Sequence, residues 1–535
     1  MLRHYQKATP ALAGGVKLVL HSSRMLDLTH ASALTGAGHA GPAPHAVVIG
    51  SGFGGLAAAV RLGARGYRVT VLERLDAPGG RAYVHRIDGF SFDAGPTIIT
   101  VPWLLEELWQ LAGRKLEDDV DLRLLDPFYR LRFDDGTLFD VCGDPAKVRA
   151  EVARISPEDV EGYDRFMQLS RKLCRVGFEE LGHVPFGALT DMARVAPALI
   201  GVQAWRSVFS IVSGYVKHPH LRIALSFHPL LIGGNPLRVS SIYGMIESLQ
   251  QRWGIHWAIG GTGALVRGLV KLIETQGNAI RYGAEVSQIM TKDGRAVGVR
   301  LSTGEEIAAH IVVSNADSAW TYRHLLPPDV RRRWTDRKVE RMSYSTGLFV
   351  WYFGTNRRYD DVPHHTIMLG PRYEGLLKDI FDRKVLAKDF SLYIHRPTAT
   401  DPSLAPEGCD TWYALSPVPH LDADIDWAKQ AEPYRQAIAR YLDANLIPGF
   451  EQHVVASRVT TPQDFRDRLL SFKGAGFGME PVLLQSAYFR PHNKSEDVEN
   501  LFLVGAGTHP GAGVPGVLSS ARVLDRVVPD VRVFT

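Results

Sequence analysis

Three glycines that follow a short apolar run are spaced so that they could hold a phosphate group. Gly50, Gly52 and Gly55 satisfy G-x-G-x-x-G, and the run 46–49 before them is typical of a buried parallel strand. In such a turn the first glycine allows the tight bend, the second lets a pyrophosphate approach the backbone, and the third lets the next helix pack closely. The helix expected at about 55–65 would direct its N–H groups at that pyrophosphate. The pattern predicts a bound adenine dinucleotide, the alternative being a glycine-rich turn that binds no ligand.

An acid and an arginine further along the chain indicate which dinucleotide this is. The strand expected at 68–72 ends at Glu73, about twenty residues after the glycines, where a carboxylate can accept a hydrogen bond from a ribose hydroxyl. Arg81 follows a second glycine pair, and a guanidinium matches phosphate oxygens, although a surface salt bridge is the alternative for it. NAD needs no second glycine pair, whereas FAD extends past the pyrophosphate. The residues therefore favour FAD and resemble the FAD-containing oxidoreductases of the glutathione-reductase-like superfamily.

The stretch 500–523 again reads as a strand, a glycine-rich turn and a helix. Its glycines repeat the spacing by letter, but Pro515 interrupts it and no further strand follows to complete a second dinucleotide unit. We predict instead that this helix begins beside the flavin ring, with Gly505, Gly513 and Val514 as cofactor contacts. Its dipole would stabilise negative charge on the reduced ring. The alternative is a helix that only closes the fold.

The composition narrows the class of function. The 535 residues are 45% hydrophobic and 22% charged, which is typical of a globular protein with a large core. The net charge of +4 gives no indication of nucleic-acid binding and weakly suits an anionic membrane surface. The 3 cysteines form no disulfide framework, which favours a reducing compartment. No metal-ligand spacing is found, and the adjacent His364 and His365 are interpreted as surface or loop residues.

These patterns predict an α/β protein. A Rossmann-type FAD-binding domain in three separated segments is joined by a mixed-sheet substrate domain and a helical insertion that associates with a membrane. The predicted segments are a disordered N-terminal tail at 1–44, the first part of the FAD-binding domain with the start of the substrate domain at 45–150, the insertion at 151–251, the second FAD-binding part at 252–317, the substrate domain at 318–490 and the third FAD-binding part at 491–535.

One stretch of the insertion, 195–216, is unusually apolar. Arg206 and Pro197 interrupt it, and the chain has no uninterrupted apolar run long enough to span a bilayer. Two interpretations stay open for this stretch: a helix pair that dips into one leaflet of a membrane, and an ordinary buried helix pair.

Eight motifs together resemble the bacterial phytoene desaturases, a family of carotenoid dehydrogenases. The resemblance covers residues 46–525, and its C-terminal motif is the most specific. The motifs are VVIGSGFGGLAAAVRLGARGYRVTVLE, PGGRAYV, FDAGPTI, SIYGMIESLQQRWGI, GGTGALVRGL, VVSNAD, SLAPEG and NLFLVGAGTHPGAGVPGV.

The resemblance implies an FAD enzyme that dehydrogenates 15-cis-phytoene, a C40 polyene, in repeated two-electron steps to neurosporene or lycopene. A hydride would pass to the flavin while a proton leaves the neighbouring carbon, and a quinone or dioxygen would reoxidise the flavin. The resemblance further implies a cytoplasmic protein held peripherally (monotopically) on the cell membrane, where it could form a homo-oligomer. One departure is Ile259, where the family commonly carries a basic residue before Gly-Gly-Thr-Gly.

The resemblance also assigns two catalytic residues, Asp191 and Arg194. A spacing of three could place both on one helix face. Asp191 would take the proton that leaves the substrate, and Arg194 would keep Asp191 ionised. The alternative is an exposed salt bridge.

Other functions stay open at this point. The nearest is a sister carotenoid dehydrogenase that acts on a hydroxyneurosporene-type substrate or on diapophytoene. An amine-oxidase-like flavoenzyme is more remote, as is a relative that binds prenyl lipids without catalysis. A flavin spectrum in the purified protein would separate the enzymes from the last of these.

Overall fold

The computed structural model describes residues 43–534. All but the last two residues of the predicted tail at 1–44 therefore lie outside the described part of the chain. The strands, in chain order, are β1 (His45–Ile49), β2 (Arg68–Leu72), β3 (Val84–Ile87), β4 (Phe90–Asp93), β5 (Leu122–Leu124), β6 (Tyr129–Phe133), β7 (Leu138–Val141), β8 (His256–Ala258), β9 (Ala279–Arg281), β10 (Val286–Lys292), β11 (Arg295–Leu301), β12 (Glu306–Ala308), β13 (Ile311–Ser314), β14 (Gly347–Thr355), β15 (His365–Leu369), β16 (Leu392–His395), β17 (Asp410–Val418), β18 (Val454–Thr460) and β19 (Leu501–Leu503).

The α-helices are distributed between these strands. They are α1 (Phe53–Ala64), α2 (Trp103–Leu111), α3 (Pro145–Ile155), α4 (Val160–Cys174), α5 (Leu189–Gly201), α6 (Val208–Val212), α7 (Pro219–Ala224), α8 (Met245–Trp253), α9 (Thr262–Thr275), α10 (Ser318–Trp320), α11 (Asp336–Arg341), α12 (Tyr373–Lys378), α13 (Trp427–Asn445), α14 (Pro462–Leu469) and α15 (Val514–Val527).

A five-stranded parallel sheet has the order β19-β13-β1-β2-β9. Every residue of β1, β13 and β19 is buried, as the continuous apolar runs predict for strands that are covered on both faces. Helices α1, α9 and α15 contribute to the core that covers one face. Because the strands are parallel, β1, β13 and β19 all end at the same edge, although more than 400 residues separate the first from the last. This sheet matches the predicted Rossmann-type arrangement.

A second, seven-stranded sheet has the order β18-β14-β17-β16-β15-β6-β7. It is mixed, as predicted, because β15 pairs with β6 in parallel and the other neighbours pair antiparallel. All nine residues of β14 are buried, and they alternate between the two faces. Phe349, Trp351 and Phe353 pack with residues of α13, whereas Leu348, Val350 and Tyr352 belong to a core on the other face.

Helices α4 to α8 lie between β7 and β8, in the stretch predicted to be a helical insertion. Helix α5 differs from the others because none of its residues is buried. The apolar stretch 195–216 contains the end of α5, a turn region and the short helix α6. Ile200 and Trp205 in this stretch are 61% and 60% exposed, whereas Ile211 is fully buried. Within residues 43–534, no helix is both long enough and apolar enough to cross a bilayer.

Two predictions about single residue types can be compared with the structure. Cys142, Cys174 and Cys409 are all free, which agrees with the absence of a disulfide framework. The interpretation of His364 and His365 as surface or loop residues is wrong about exposure, although His364 does lie in a bend just before β15. They are 4% and 0% exposed, and His365 begins β15 inside the seven-stranded sheet. Antiparallel pairing between β15 and β16 places these imidazoles inside the protein. The adjacency of two histidines in the sequence does not indicate that they are buried.

Candidate active site

The first glycine turn joins β1 to α1 and depends on close packing of backbone. Gly50 has a φ of +87°, which favours glycine. A Cβ added to Gly55 would lie 2.1 Å from the carbonyl oxygen of Gly50, so no larger residue fits without a backbone shift. Gly52 precedes the first residue of α1, and its backbone lines a cavity together with Gly50. The helix N-terminus therefore faces this cavity with backbone N–H groups and the positive end of its dipole.

Asn315, which follows β13, packs between the first and last glycine turns. A Cβ on Gly54 would lie 2.6 Å from Asn315 Oδ1, and a Cβ on Gly505 would meet the same atom at 2.6 Å. The backbone N–H of Asn315 donates to the carbonyl of Ile49 at 2.9 Å, which fixes the asparagine at the sheet edge. Sequence reasoning missed Asn315 as a site residue. Its position directly after an apolar strand was the signal that could have identified it.

The last glycine turn joins β19 to α15. Gly505 and Gly513 have φ values of +94° and +92°, and α15 begins at Val514. All three residues line the cavity. The structure therefore brings the N-terminus of α15 to the same cavity as the N-terminus of α1, and contact of this helix with a flavin ring stays a prediction. Two helix N-termini then present partial positive charge to one space.

Glu73 lies at the end of β2 and is 5% exposed. Its Oε2 accepts hydrogen bonds from the backbone N–H of Ser51 at 2.9 Å and from the Ser51 hydroxyl at 2.6 Å. Its Oε1 accepts from the backbone N–H of Leu75 at 2.9 Å. The carboxylate is thus fixed beside the first glycine turn, and Oε1 keeps capacity for one further donor such as a ribose hydroxyl.

The cavity has a volume of about 560 Å³ and is continuous from the glycine turns to an apolar region. At one end it is lined by Gly50, Glu73 and Gly505. At the other end apolar side chains from three parts of the fold line it. They are Phe178, Leu181, Met192, Val195 and Leu199 from the insertion, Leu348, Ile367, Leu369 and Leu415 from the seven-stranded sheet, and Leu230, Leu231 and Ile232 from the segment after α7.

Comparison with protein families identifies the class of this protein. Residues 53–523 match the family described as flavin containing amine oxidoreductase. The chain belongs to this family. The predictions of an oxidoreductase and of FAD as its cofactor are therefore confirmed.

Individual relatives within the family are similar over nearly the whole chain. The neurosporene-forming phytoene desaturase of Cereibacter sphaeroides is 52% identical over 92% of this chain and 96% of the relative. The lycopene-forming phytoene desaturase of Pantoea ananas is 48% identical over 89% of this chain and 97% of the relative. A solved structure of a putrescine oxidase variant shares the fold, with a TM-score of 0.63, 14% identity and coverage of 92% of this chain and 100% of that chain. The resemblance to bacterial phytoene desaturases is thus confirmed.

The residues at the glycine end fit a flavin dinucleotide. Gly52 has no side chain, so a phosphate can approach the backbone of its turn. Glu73 retains an oxygen that can accept a hydrogen bond from a ribose hydroxyl. Arg81 lines the cavity, which does not support the alternative of a surface salt bridge. Its Nε donates to the carbonyl of Gly476 at 2.9 Å and one Nη donates to Ser471 Oγ at 2.8 Å. A role of Arg81 in phosphate binding stays a prediction.

A buried polar network lies against the apolar end of the cavity. His228 lines the cavity, and its Nε2 lies 2.9 Å from the Tyr129 hydroxyl. Its Nδ1 lies 3.6 Å from Glu247 Oε1, while Gln250 donates to both Glu247 and Tyr129 at 2.8 Å. Burial lowers the pKa of His228 to about 3 and raises the pKa of Glu247 to about 8. Both shifts favour the neutral form of the group concerned.

Asp191 and Arg194 lie on α5, and neither of them lines the cavity. Met192 of the same helix does line it. Asp191 Oδ2 accepts from the backbone N–H groups of Gly187 and Ala188 at 3.0 and 2.9 Å, which satisfies donors at the start of α5. Arg194 is 76% exposed and approaches Asp191 Oδ1 at 3.4 Å. The two side chains share a helix face as predicted, and their catalytic roles stay a prediction.

The glycine turn can be tested by adding one methyl group. We expect Gly55→Ala to lower flavin occupancy at least about tenfold, because the new Cβ cannot coexist with the Gly50 carbonyl at 2.1 Å and the turn must shift. The measurement is the ratio of flavin absorbance to protein absorbance after purification. Gly187→Ala is the matched control, since an added Cβ there meets no atom within 4 Å. Full flavin occupancy in a folded Gly55→Ala variant would contradict the assignment.

Proposed function

We propose that this chain is an FAD-dependent phytoene desaturase that converts 15-cis-phytoene stepwise to neurosporene or lycopene. The observation that carries the proposal is the single cavity that joins the flavin end to a long apolar region. The two curated relatives described above support it, because both are desaturases of this substrate. A sister carotenoid dehydrogenase remains the alternative that this cavity would also suit.

The distribution of charge in the cavity favours a hydrocarbon over an amine. The carboxylates among the described lining residues are Glu73, Glu285 and Asp317. Glu73 follows β2 and Asp317 lies just after β13 of the parallel sheet, and Glu285 directly precedes β10. An amine is cationic at neutral pH and needs an anion or an aromatic cage to replace its hydration. The apolar end instead offers aliphatic and aromatic side chains with no carboxylate among its described lining residues, and burial favours the neutral forms of His228 and Glu247.

The residues of the chain act mainly by positioning the substrate. When bound, FAD supplies the acceptor for the hydride. At ~0.8 kcal/mol for each CH₂ group, a C40 hydrocarbon costs tens of kcal/mol to place in water, so it must enter from a lipid phase. Transfer from lipid into an apolar cavity gains little free energy. The walls therefore contribute by holding the reacting carbon at the flavin end and by excluding water.

Helix α5 supports an entrance for the substrate from a membrane. Leu189 and Ile200 are 62% and 61% exposed. They are eleven residues apart, close to three full helical turns, and so lie on one face. Met192, Val195 and Leu199 of the same helix line the cavity. Together with Trp205 just beyond α5, Leu189 and Ile200 form what we call the α5 patch.

We propose that the α5 patch dips into the headgroup region of the cytoplasmic face of the cell membrane. Trp205 has the amphipathic ring that such interfaces favour. Arg194 is exposed on α5, and Lys172 donates to the carbonyl of Gly201 at its end, so cations that suit anionic lipids flank the patch. A quinone dissolved in the same membrane, or dioxygen, would then reoxidise the flavin, and several copies could assemble there.

Vesicle binding tests the membrane proposal. We expect the double variant Ile200→Glu and Trp205→Glu to bind vesicles of phosphatidylglycerol and phosphatidylcholine at least about tenfold more weakly than the wild type, because two apolar contacts are replaced by charges. Co-sedimentation measures the bound fraction. Val455→Glu, at an exposed position of β18, is the control and should bind as the wild type does. Equal binding by all three proteins would refute the role of the patch.

Product analysis tests the reaction itself. In cells that accumulate phytoene, we expect this chain to produce coloured carotenoids, because each dehydrogenation lengthens the conjugated polyene. A red pigment with the absorption of lycopene indicates four steps, and a yellow pigment that absorbs at shorter wavelength indicates three. The control is the same strain without the chain. A colourless extract from cells that contain the flavin-loaded protein would count against phytoene, and the sister carotenoids would be tried next.

The role of Asp191 as the proton acceptor remains our proposal. We expect Asp191→Asn to slow desaturation about 100-fold while flavin stays bound, because the amide cannot take a proton but can still accept from Gly187 and Ala188. The measurement is the rate of product formation per bound flavin. Asp164→Asn, which removes an exposed acid of α4 that pairs with Arg149, is the control. Unchanged turnover in Asp191→Asn would leave Asp191 with helix capping as its role.

A further inference from the structure

Three buried histidines converge next to the seven-stranded sheet. His365 and His395 are directly opposed in the antiparallel pair β15 and β16, and His364 precedes β15. One ring nitrogen from each of the three lies within 4.8 Å of the other two. The closest pair is His364 Nε2 and His395 Nε2 at 3.1 Å. Imidazole nitrogens about 2.0–2.1 Å from one tetrahedral metal ion stand about 3.4 Å apart, which is close to the spacing of the His364 and His395 pair.

The opposite ring nitrogens of two of these histidines are held by hydroxyl groups. His364 Nδ1 lies 2.7 Å from Thr400 Oγ1, and His365 Nδ1 lies 2.8 Å from Tyr393 Oη. Outer partners of this kind orient metal-binding histidines and select the ring nitrogen that binds. His365 Nε2, in contrast, is buried and has no hydrogen-bond partner. A buried nitrogen without a partner is costly unless a ligand completes its coordination.

The surroundings of the three imidazoles are buried. His364, His365 and His395 are 4%, 0% and 1% exposed. The indole of Trp257 packs against His364 and His395, with ring centroids 4.8 and 5.0 Å away. The nearby cation Arg396 is paired with the fully buried Asp410 at 3.2 Å, so that pair adds no net charge.

We propose that His364, His365 and His395 bind a first-row transition-metal ion, and that zinc is the ion they suit best. Three imidazoles without a carboxylate favour zinc, copper, iron or nickel over magnesium or calcium, which prefer oxygen ligands. A site with three histidines leaves a fourth position for a water molecule or hydroxide, which would offset part of the charge of a divalent ion. This proposal does not depend on the identity of the polyene substrate.

A bound ion would also order one wall of the cavity. Its coordination by His365 Nε2 makes Nδ1–H the donor to Tyr393 Oη. The Tyr393 hydroxyl would then donate to Thr97 Oγ1, 2.8 Å away. Tyr393 and Thr97 both line the cavity. The ion would thus connect β15, β16 and the wall through fixed hydrogen bonds, and its role is structural.

Elemental analysis of the purified, flavin-loaded full chain tests the proposal. We expect about one zinc, copper, iron or nickel ion per chain, and less than a tenth of that in His365→Ala and His395→Ala that still carry flavin. The control is His228→Gln, which changes a buried histidine outside the cluster and should leave the metal content at the wild-type level. Metal-free wild-type protein with full flavin content, prepared with zinc in the growth medium, would overturn the proposal.

A second measurement does not require the variants to fold. Wild-type protein is treated with a chelator and its unfolding temperature is measured before and after zinc is added back at equal molarity. We expect zinc to raise the unfolding temperature, and crystals of the treated protein to show anomalous scattering at the zinc edge between the three Nε2 atoms. No thermal shift together with no anomalous peak would show that the cluster is only a hydrogen-bonded network.

Discussion

The close approach of backbone at one edge of the parallel sheet is the constraint on which the rest of the structure depends. β1 and β19 come from opposite ends of the described chain and end side by side with β13 between them. A Cβ on Gly54 would lie 2.6 Å from Asn315 Oδ1 and 2.9 Å from the Cα of Gly505, so this edge tolerates almost no side-chain volume. What remains exposed there is backbone N–H and two helix N-termini. That surface suits the phosphates and the ring of a flavin dinucleotide.

The other end of the cavity has the opposite chemical requirement. It is built from the seven-stranded sheet and from helices that lie between β7 and β8. Burial lowers the pKa of His228 and raises the pKa of Glu247, and both shifts favour the neutral form at this end. Helix α5 continues the apolar lining outward to an exposed face. This end of the cavity therefore suits a hydrocarbon.

The two sheets serve this arrangement in different ways. The parallel sheet provides an edge where separate chain segments meet, whereas the mixed sheet provides a broad wall whose residues alternate between two cores. The pairing of β15 with β16 also brings His365 and His395 together on one side of that wall. Ile367, two residues after His365 on the same strand, lines the cavity, so the histidine cluster and the cavity lining adjoin along β15.

The sequence by itself determined the glycine turns, the strands and helices around them, and the choice of a flavin. Close approach of backbone and the order of strand, turn and helix are local properties, so the types and spacing of residues indicate them. Glu73 at the end of β2 and Val514 at the start of α15 could be placed in this way. Only the tertiary structure decided that Asn315 lies between two glycine turns, that Asp191 stands outside the cavity lining, and that His364 converges with His365 and His395 of two paired strands. Those facts depend on which distant segments pair and in which register. Register follows from the hydrophobic pattern of whole strands and from the turns that join them, so no single residue records it.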